Sequence, residues 1–295
     1  MVITTFSQQG LDLVARVLVD AGDAVVVEDP VYLGARQVFE AHGPHLVGLP
    51  TDTEGLDPDQ LAARLRGGLR PRLVYCVPNF SNPCGSTLSP ARREVLARLA
   101  RQYGFVIVED DPYRPLHFGP CPPTPIAAAA PEHTVYLGST SKFIAPGLRV
   151  GWLAAPAWML DALIAAKQSV DLHTAPLNQL IAADLLGDDA FLVPHLEHVR
   201  SRYRERAHIL YDAVGDFVES RPPTGGMFLW GRTATPTRPA LAHAVEGGVA
   251  YVPGAAFAVT PGAHRGHLRL SFATLDGAEL LLAAARLRSA LTTVS

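Results

Sequence analysis

Phe105-Val106-Ile107-Val108 runs directly into Glu109-Asp110-Asp111-Pro112-Tyr113. Four consecutive large apolar residues without polar alternation describe a strand covered on both faces, as strands of parallel sheets are. The carboxylates follow where the strand should end, and strand C-termini are where open α/β sheets collect ligands. Upstream, Ala24-Val25-Val26-Val27-Glu28 and Leu73-Val74-Tyr75-Cys76-Val77 repeat the pattern. Downstream, Thr134–Leu137 and Val150–Ala154 are further candidate strands. Helical periodicity fills the intervals at Gln9–Ala21, Leu33–His42, Pro58–Arg66 and Pro90–Tyr103. The alternation predicts an α/β fold, a three-layer sandwich around a mostly parallel sheet.

Beyond Pro156 the texture changes. Helical patterns cover Ala157–Lys167 and Pro176–Leu186, and a long amphipathic stretch, Pro194–Glu219, is suited to connecting two domains. Short strands are expected near Met227–Trp230, Val249–Val252 and Leu268–Phe272, then a closing helix near Gly277–Leu291. The expected division is a large domain over residues 1–204 and a smaller α+β domain over 205–295. The Pro-rich patches Gly119–Pro125 and Thr233–Pro239 read as loops.

Composition excludes several classes. The 295 residues are 48% hydrophobic and 18% charged, with a net charge of −3. That balance folds, and it carries no basic run that would mark a nucleic-acid surface. No apolar stretch approaches the roughly 20 residues of a membrane helix. Cys76, Cys84 and Cys121 are too few and too irregular for a zinc site or disulfide framework, so a reducing cytoplasm is expected. His195-x-x-His198 lacks a third ligand and reads as surface, and Gly225-Gly226 is no dinucleotide fingerprint. Of the 25 basic residues only Lys142 and Lys167 are lysines. Arginine serves ion pairs well but cannot form a Schiff base, which needs a primary amine.

Four segments at predicted strand ends gather one kind of chemistry. Ser139-Thr140-Ser141-Lys142 is followed by Ala145-Pro146-Gly147-Leu148-Arg149-Val150-Gly151, placing two hydroxyls and a guanidinium around a lysine. Asp110 sits where a carboxylate can face a protonated pyridine nitrogen, with Tyr113 nearby; the alternative is an ordinary Asp-Pro turn. Asn79-Phe80-Ser81-Asn82-Pro83-Cys84-Gly85 offers Asn82 as an amide donor. Ser7-Gln8-Gln9 opens a predicted helix, whose free amides suit an anion, although Ser7 also suits a helix cap. Tyr32, after Asp29-Pro30, either stacks on a ring or fills core. Together these meet the demands of pyridoxal 5′-phosphate: an amine, a carboxylate for the ring nitrogen, phosphate donors and a wall for the ring.

The ordered set of motifs resembles the fold-type I pyridoxal-phosphate aminotransferases, in the branch of α-aminoadipate and kynurenine aminotransferases. It runs from Ser-Gln-Gln through Asn-Pro-x-Gly, Asp-Asp-Pro-Tyr and Ser-x-Ser-Lys to Leu268-Arg269-Leu270-Ser271-Phe272. Matching stretches include Ala166-Lys167-Gln168, Asp171-Leu172-His173-Thr174 and Pro223-Thr224-Gly225-Gly226-Met227-Phe228. The resemblance implies that Lys142 holds the cofactor as an imine and shuttles a proton at Cα. It assigns Asp110 to the ring nitrogen, Tyr113 and Asn82 to the phenolic oxygen, and Tyr32 to the ring face. Ser7, Gln8, Ser139, Ser141 and Arg149 would grip the phosphate, and Arg269, with Asn82, the substrate carboxylate. It further implies a homodimer that moves an amino group from an amino acid to a 2-oxo acid by a ping-pong mechanism. A lyase on the same fold and a cofactor-binding sensor module of a transcription regulator are the alternatives.

Two residues depart from that family's pattern. Phe6 stands where the family usually has glycine, and Cys84 where it usually has threonine. The family also carries a further upstream segment, so a truncation, a misassigned start and a natural fragment all accord with this sequence.

Overall fold

The computed structural model describes residues 1–293; residues 294 and 295, the end of the expected C-terminal domain, lie outside the described residues. The first sheet has eight strands: β1 (Val2–Thr4), β2 (Ala24–Asp29), β3 (His45–Asp52), β4 (Gly55–Leu56), β5 (Pro71–Cys76), β6 (Val106–Asp110), β7 (Thr134–Ser139) and β8 (Gly151–Ala154). Their spatial order is β1-β8-β7-β6-β5-β2-β3-β4. From β7 through β3 every neighbour is parallel, whereas β8, β1 and β4 join antiparallel at the two sides. The expected mostly parallel sheet is therefore present.

Successive side chains of a strand point to opposite faces, and this sheet uses both. Val25, Val27, Leu73, Tyr75, Val106 and Val108 enter one core with α1 (Phe6–Leu18), α2 (Leu33–Glu40) and, further along the chain, the helix Ala157–Asp171. Val26, Val74, Cys76 and Ile107 enter the opposite core with α3 (Pro58–Arg66), α4 (Pro90–Tyr103) and α5 (Ile126–Ala129). Each such side chain gains roughly 1.5–3 kcal/mol on burial. Helix–sheet–helix layering therefore fixes the strand ends, from which the polar residues project.

The helix Ala157–Asp171 is α6, followed by α7 (Pro176–Gly187) and α8 (Asp189–Val214). A third core gathers Ala207, Leu210 and Val214 of α8 with Leu229, Leu268, Phe272, Leu280 and Leu287. It lies between α9 (Thr237–Glu246), α10 (Gly277–Thr293) and a four-stranded antiparallel sheet. That sheet comprises β9 (Glu219–Ser220), β10 (Phe228–Arg232), β11 (Val252–Pro253) and β12 (His267–Ser271), in the order β11-β12-β10-β9. α8 belongs to both bodies, since its Leu192, Leu196 and Val199 pack against the first core.

Several boundaries differ from the sequence reading. The long connecting helix starts at Asp189 rather than Pro194, because Asp188 caps it by accepting from the amides of Ala190 and Phe191. Pro194 lies inside it, and the helix ends at Val214 rather than Glu219, which instead pairs with Arg232. The first helix begins at Phe6 rather than Gln9 and stops at Leu18 rather than Ala21. β3 was not expected: its Gly48 and Pro50 break the apolar pattern, and its exposure alternates irregularly. The expected loop Thr233–Pro239 holds the start of α9, where Pro236 precedes the helix and Pro239 occupies its first turn. Prolines there remove no helical hydrogen bond.

Candidate active site

The parallel strands end along one line, and the loops leaving them meet the N-terminus of α1. Between them lies a cleft of about 230 Å³, with Phe6, Ser7, Tyr32, Asn82, Asp110, Tyr113, Lys142 and Arg269 on its walls. Seven of the eleven residues proposed from sequence thus line one cavity: Ser7, Tyr32, Asn82, Asp110, Tyr113, Lys142 and Arg269.

Asp110, the last residue of β6, is 5% exposed. The Tyr75 hydroxyl donates to its Oδ2 at 2.9 Å, and its buried Oδ1 has no hydrogen-bond partner. Burial pushes the carboxyl up to about 6, with the Tyr75 hydroxyl holding it back and Asp111 adding to the rise. Leaving a carboxylate oxygen dry and unpaired costs about 1–3 kcal/mol. Such a group is poised to receive a buried cation or N–H. Lys142 ends a short 3₁₀ turn after β7. Burial pulls its ammonium below the usual lysine range; Asp110 opposes this, while Arg269 and Arg149 reinforce it. A depressed lysine has more of its amine free at neutral pH.

Arg269 arrives from the middle of β12. Its Nη1 donates to Asn82 Oδ1 at 2.8 Å, and its guanidinium lies 4.2 Å from the Phe228 ring centre and 5.2 Å from that of Phe257. Its Nε is buried without a partner. Tyr113 is buried beside Phe228, edge to face at 6.0 Å, and burial raises its hydroxyl pKa. Tyr32 places its hydroxyl 3.3 Å from Gln8 Oε1.

The phosphate donors proposed from sequence do not all reach the cleft with their side chains. Gln8 donates to the Gly34 carbonyl at 2.9 Å, so its side chain points along α1 toward α2. Ser139 and Ser141 are buried and bonded to each other, Oγ to Oγ at 3.0 Å. Arg149 is exposed, with its guanidinium 4.2 Å from the centre of the Phe6 ring. Phe6 itself has φ = 78°, in the left-handed region that a bulky residue rarely adopts. Helix α1 begins there with no side-chain cap and no acidic residue in its first turn.

Three supports escaped the sequence reading. Tyr75 appeared only as part of an apolar run; its phenolic oxygen was the available signal. Lys167 is 7% exposed and pairs with Asp171 Oδ1 at 2.6 Å, while Asp171 Oδ2 accepts from Gln9 Nε2 at 2.8 Å and Thr5 Oγ1 at 3.1 Å. The second lysine thereby ties α6 to the segment on either side of Phe6. His195, expected on the surface, is half-buried, with its Nε2 2.6 Å from the carbonyl oxygen of Phe143, the residue after Lys142. Behind β6, Arg93 donates to Asn79 Oδ1 at 2.7 Å, and Asn79 donates to Asp111 Oδ1 at 2.8 Å. That buried chain fixes the loop carrying Asn82 relative to the strand end carrying Asp110.

A layered parallel sheet with a buried carboxylate, a lysine and an arginine converging at its strand ends defines a class of amine-handling proteins. The chain belongs to the aminotransferase class I and II family, whose model matches residues 2–287. It is 41% identical to aromatic-amino-acid aminotransferase 1 of Thermococcus litoralis over 86% of this chain and 63% of that protein. It is also 41% identical to the 2-aminoadipate transaminase of Thermus thermophilus, over 94% of this chain and 71% of that one. The crystal structure of an α-aminoadipate aminotransferase from Thermus thermophilus, complexed with N-(5′-phosphopyridoxyl)-L-leucine, superposes with a TM-score of 0.93 at 39% identity. That match covers 99% of this chain and 77% of the other. The fold-type I assignment and its branch, expected from the motifs, are thereby established. The chain spans just under two thirds of the first of these relatives.

Proposed function

We propose that this chain carries the cofactor site of a pyridoxal-phosphate-dependent aminotransferase, which moves an amino group from an amino acid to a 2-oxo acid in two half-reactions. The observation that carries this reading is the buried Asp110 Oδ1, left unpaired in the cleft that also holds the Lys142 amine. When bound, pyridoxal phosphate supplies an aldehyde that captures amines and a protonated ring that draws electrons from the substrate Cα. The residues fit that group. Asp110 would keep the ring nitrogen protonated, and its raised pKa would fall again beside such a cation. Tyr32 would wall the ring, Tyr113 and Asn82 would hold its oxygen, and the amides of α1 with Ser7 would take the phosphate, joined by Arg149 once it leaves the Phe6 ring.

Lys142 supplies the primary amine that holds the cofactor, then accepts the Cα proton at Nζ and returns it on the other side of the transfer. Arg269 binds the α-carboxylate through its guanidinium, and Asn82 and Phe228 hold that fork in one orientation. The substrates are an amino acid and a 2-oxo acid, with aromatic, 2-aminoadipate and branched-chain donors all admitted. We place the boundary between the large and small domains within α8, near residue 204. A homodimer accords with the exposed Trp158, Leu172, Leu177 and Leu180 of α6, its end and α7, an apolar surface that a second copy would cover. Among the described residues no helix is long and apolar enough to cross a membrane; the free Cys76, Cys84 and Cys121 support a reducing, cytoplasmic setting.

The test is a titration of the purified chain with pyridoxal phosphate beside Lys142→Ala. A visible absorbance band that persists on dialysis, vanishes in the variant and shifts with amino acids is expected. Folded protein with no Lys142-dependent band would sink the reading.

A further inference from the structure

We infer that the Phe6 ring occupies the anion end of the cleft, so that its displacement sets how tightly a phosphorylated ligand binds. The inference rests on the proposed cofactor reading and concerns a residue that reading leaves unused.

Three observations converge. First, α1 opens into the cleft with no acidic residue in its first turn and no cap from the Thr5 side chain; Gln9 Oε1 accepts only from the Thr5 amide, at 2.7 Å, so the amides beyond it have no protein anion to serve. Second, two cations are already engaged with the Phe6 ring. The Arg149 guanidinium lies 4.2 Å from the Phe6 ring centre, and the Lys142 ammonium lies 5.6 Å from the same ring. A benzyl group thus holds two cations at a helix start. An aromatic face attracts cations and repels a dianion, so ring and phosphate cannot share that position. Third, the backbone cannot retreat. A Cβ on Gly151 would come within 2.6 Å of the Phe6 carbonyl carbon and 2.7 Å of the Ser7 nitrogen, and Thr4 Oγ1 donates to the Phe6 carbonyl at 2.9 Å. The main chain is clamped on both sides, and the half-buried ring is the part that can swing away. The left-handed φ of 78° makes glycine the residue this backbone favours, so the side chain is kept against a conformational cost.

The consequence is a discrimination between ligands that differ only in the phosphate. Pyridoxal reaches Lys142 and Asp110 without disturbing the ring on Arg149, whereas pyridoxal phosphate must displace it. The experiment titrates wild type, Phe6→Gly and Phe6→Ala with both compounds and follows the Lys142-dependent absorbance. Thermal melts confirm that each variant is folded. Phe6→Ala keeps an L-residue at this φ and so isolates the ring from the backbone. Both variants should bind pyridoxal phosphate about tenfold more tightly than wild type, the ratio that a partly desolvated cation–ring contact supports. Pyridoxal affinity should move by less than about twofold, well under that ratio. Equal or weaker binding of pyridoxal phosphate by both variants would overturn the inference, as would an equal gain for pyridoxal. A Lys142-dependent band with either compound in wild type would leave the cofactor reading standing in that event. Its absence from every protein would remove the reading and this inference together.

Discussion

The Tyr75 hydroxyl holds one oxygen of Asp110 at 2.9 Å and leaves the other buried beside the cleft without a partner. The two residues come from neighbouring strands, β5 and β6, whose parallel register sets Cys76 opposite Glu109. Tyr75 therefore decides which way the carboxylate faces. Removing its hydroxyl raises the Asp110 pKa further, since that bond favours the ionised form. Tyr75→Phe should lower the rate of the amino-acid half-reaction about tenfold and shift the acid limb of its pH profile upward. Asp110→Asn should cost about 10²-fold or more, because the ring nitrogen loses its counter-charge. Stopped-flow absorbance across pH measures both; an unmoved profile in Tyr75→Phe would refute the positioning role.

Arg269 makes a different demand. Its fork lies against Asn82 and the Phe228 ring, and an ammonium could keep those contacts but lacks the planar pair of donors that grips a carboxylate. Arg269→Lys should raise KM for the amino acid about ten- to a hundredfold while leaving the cofactor absorbance intact. A matching loss of cofactor binding would show that Arg269 holds the cofactor site rather than the substrate.

Lys167 should prove structural. Its pair with Asp171 is less enclosed than a fully buried one, since the Asp171 side chain keeps 23% exposure. Lys167→Met should therefore destabilise by about 2 kcal/mol, below the roughly 3–5 kcal/mol typical when a deeply buried pair is broken. It should also weaken cofactor binding, because Asp171, the common anchor of Thr5 and Gln9, loses its counter-ion, and Gln9 loses its own contact with Lys167. Urea unfolding and an absorbance titration together test this, and an unchanged midpoint would refute it.

Glu28 gives the pH prediction. It is buried at the end of β2, accepts from the Val77 amide at 3.1 Å, and burial raises its pKa to about 8. Between the ordinary value of 4.5 and about 8 the native chain keeps a proton that the unfolded chain gives up. Its contribution is fully present at low pH and is lost as pH rises through that window, with a slope on the order of 1 kcal/mol per unit. Glu28→Gln lacks the titration, so its stability relative to wild type should improve from about pH 5 to 8. Denaturant melts at several pH values would show parallel curves if the carboxyl were already ionised.

The sheet was legible because its strands are buried on both faces and so appear as unbroken apolar runs. β3 was not, since Gly48 and Pro50 interrupt the run where Asp29 and Val259 pack close. α9 hid behind Pro236 and Pro239, which mark a loop until they are seen to occupy a helix start. At the site, Lys142, Asp110 and Arg269 could be proposed because each sits at a strand end or in a strand with its motif around it. Tyr75 could not, because a tyrosine inside an apolar run resembles core until its hydroxyl finds a partner. Nor could the inward roles of Ser139 and Ser141 be read: sequence shows two hydroxyls beside a lysine, but not that they satisfy each other.

The scarcity of lysine has a practical side. With the Lys167 ammonium enclosed by Asp171, Gln9 and Thr174, Lys142 is, among the described residues, the side-chain amine left open to reagents. An amine-selective label on the native chain will therefore mark Lys142 among its side chains, an adduct that peptide mass mapping locates. Protection of Lys142 from that label then counts occupied sites directly, with no chromophore and no turnover required.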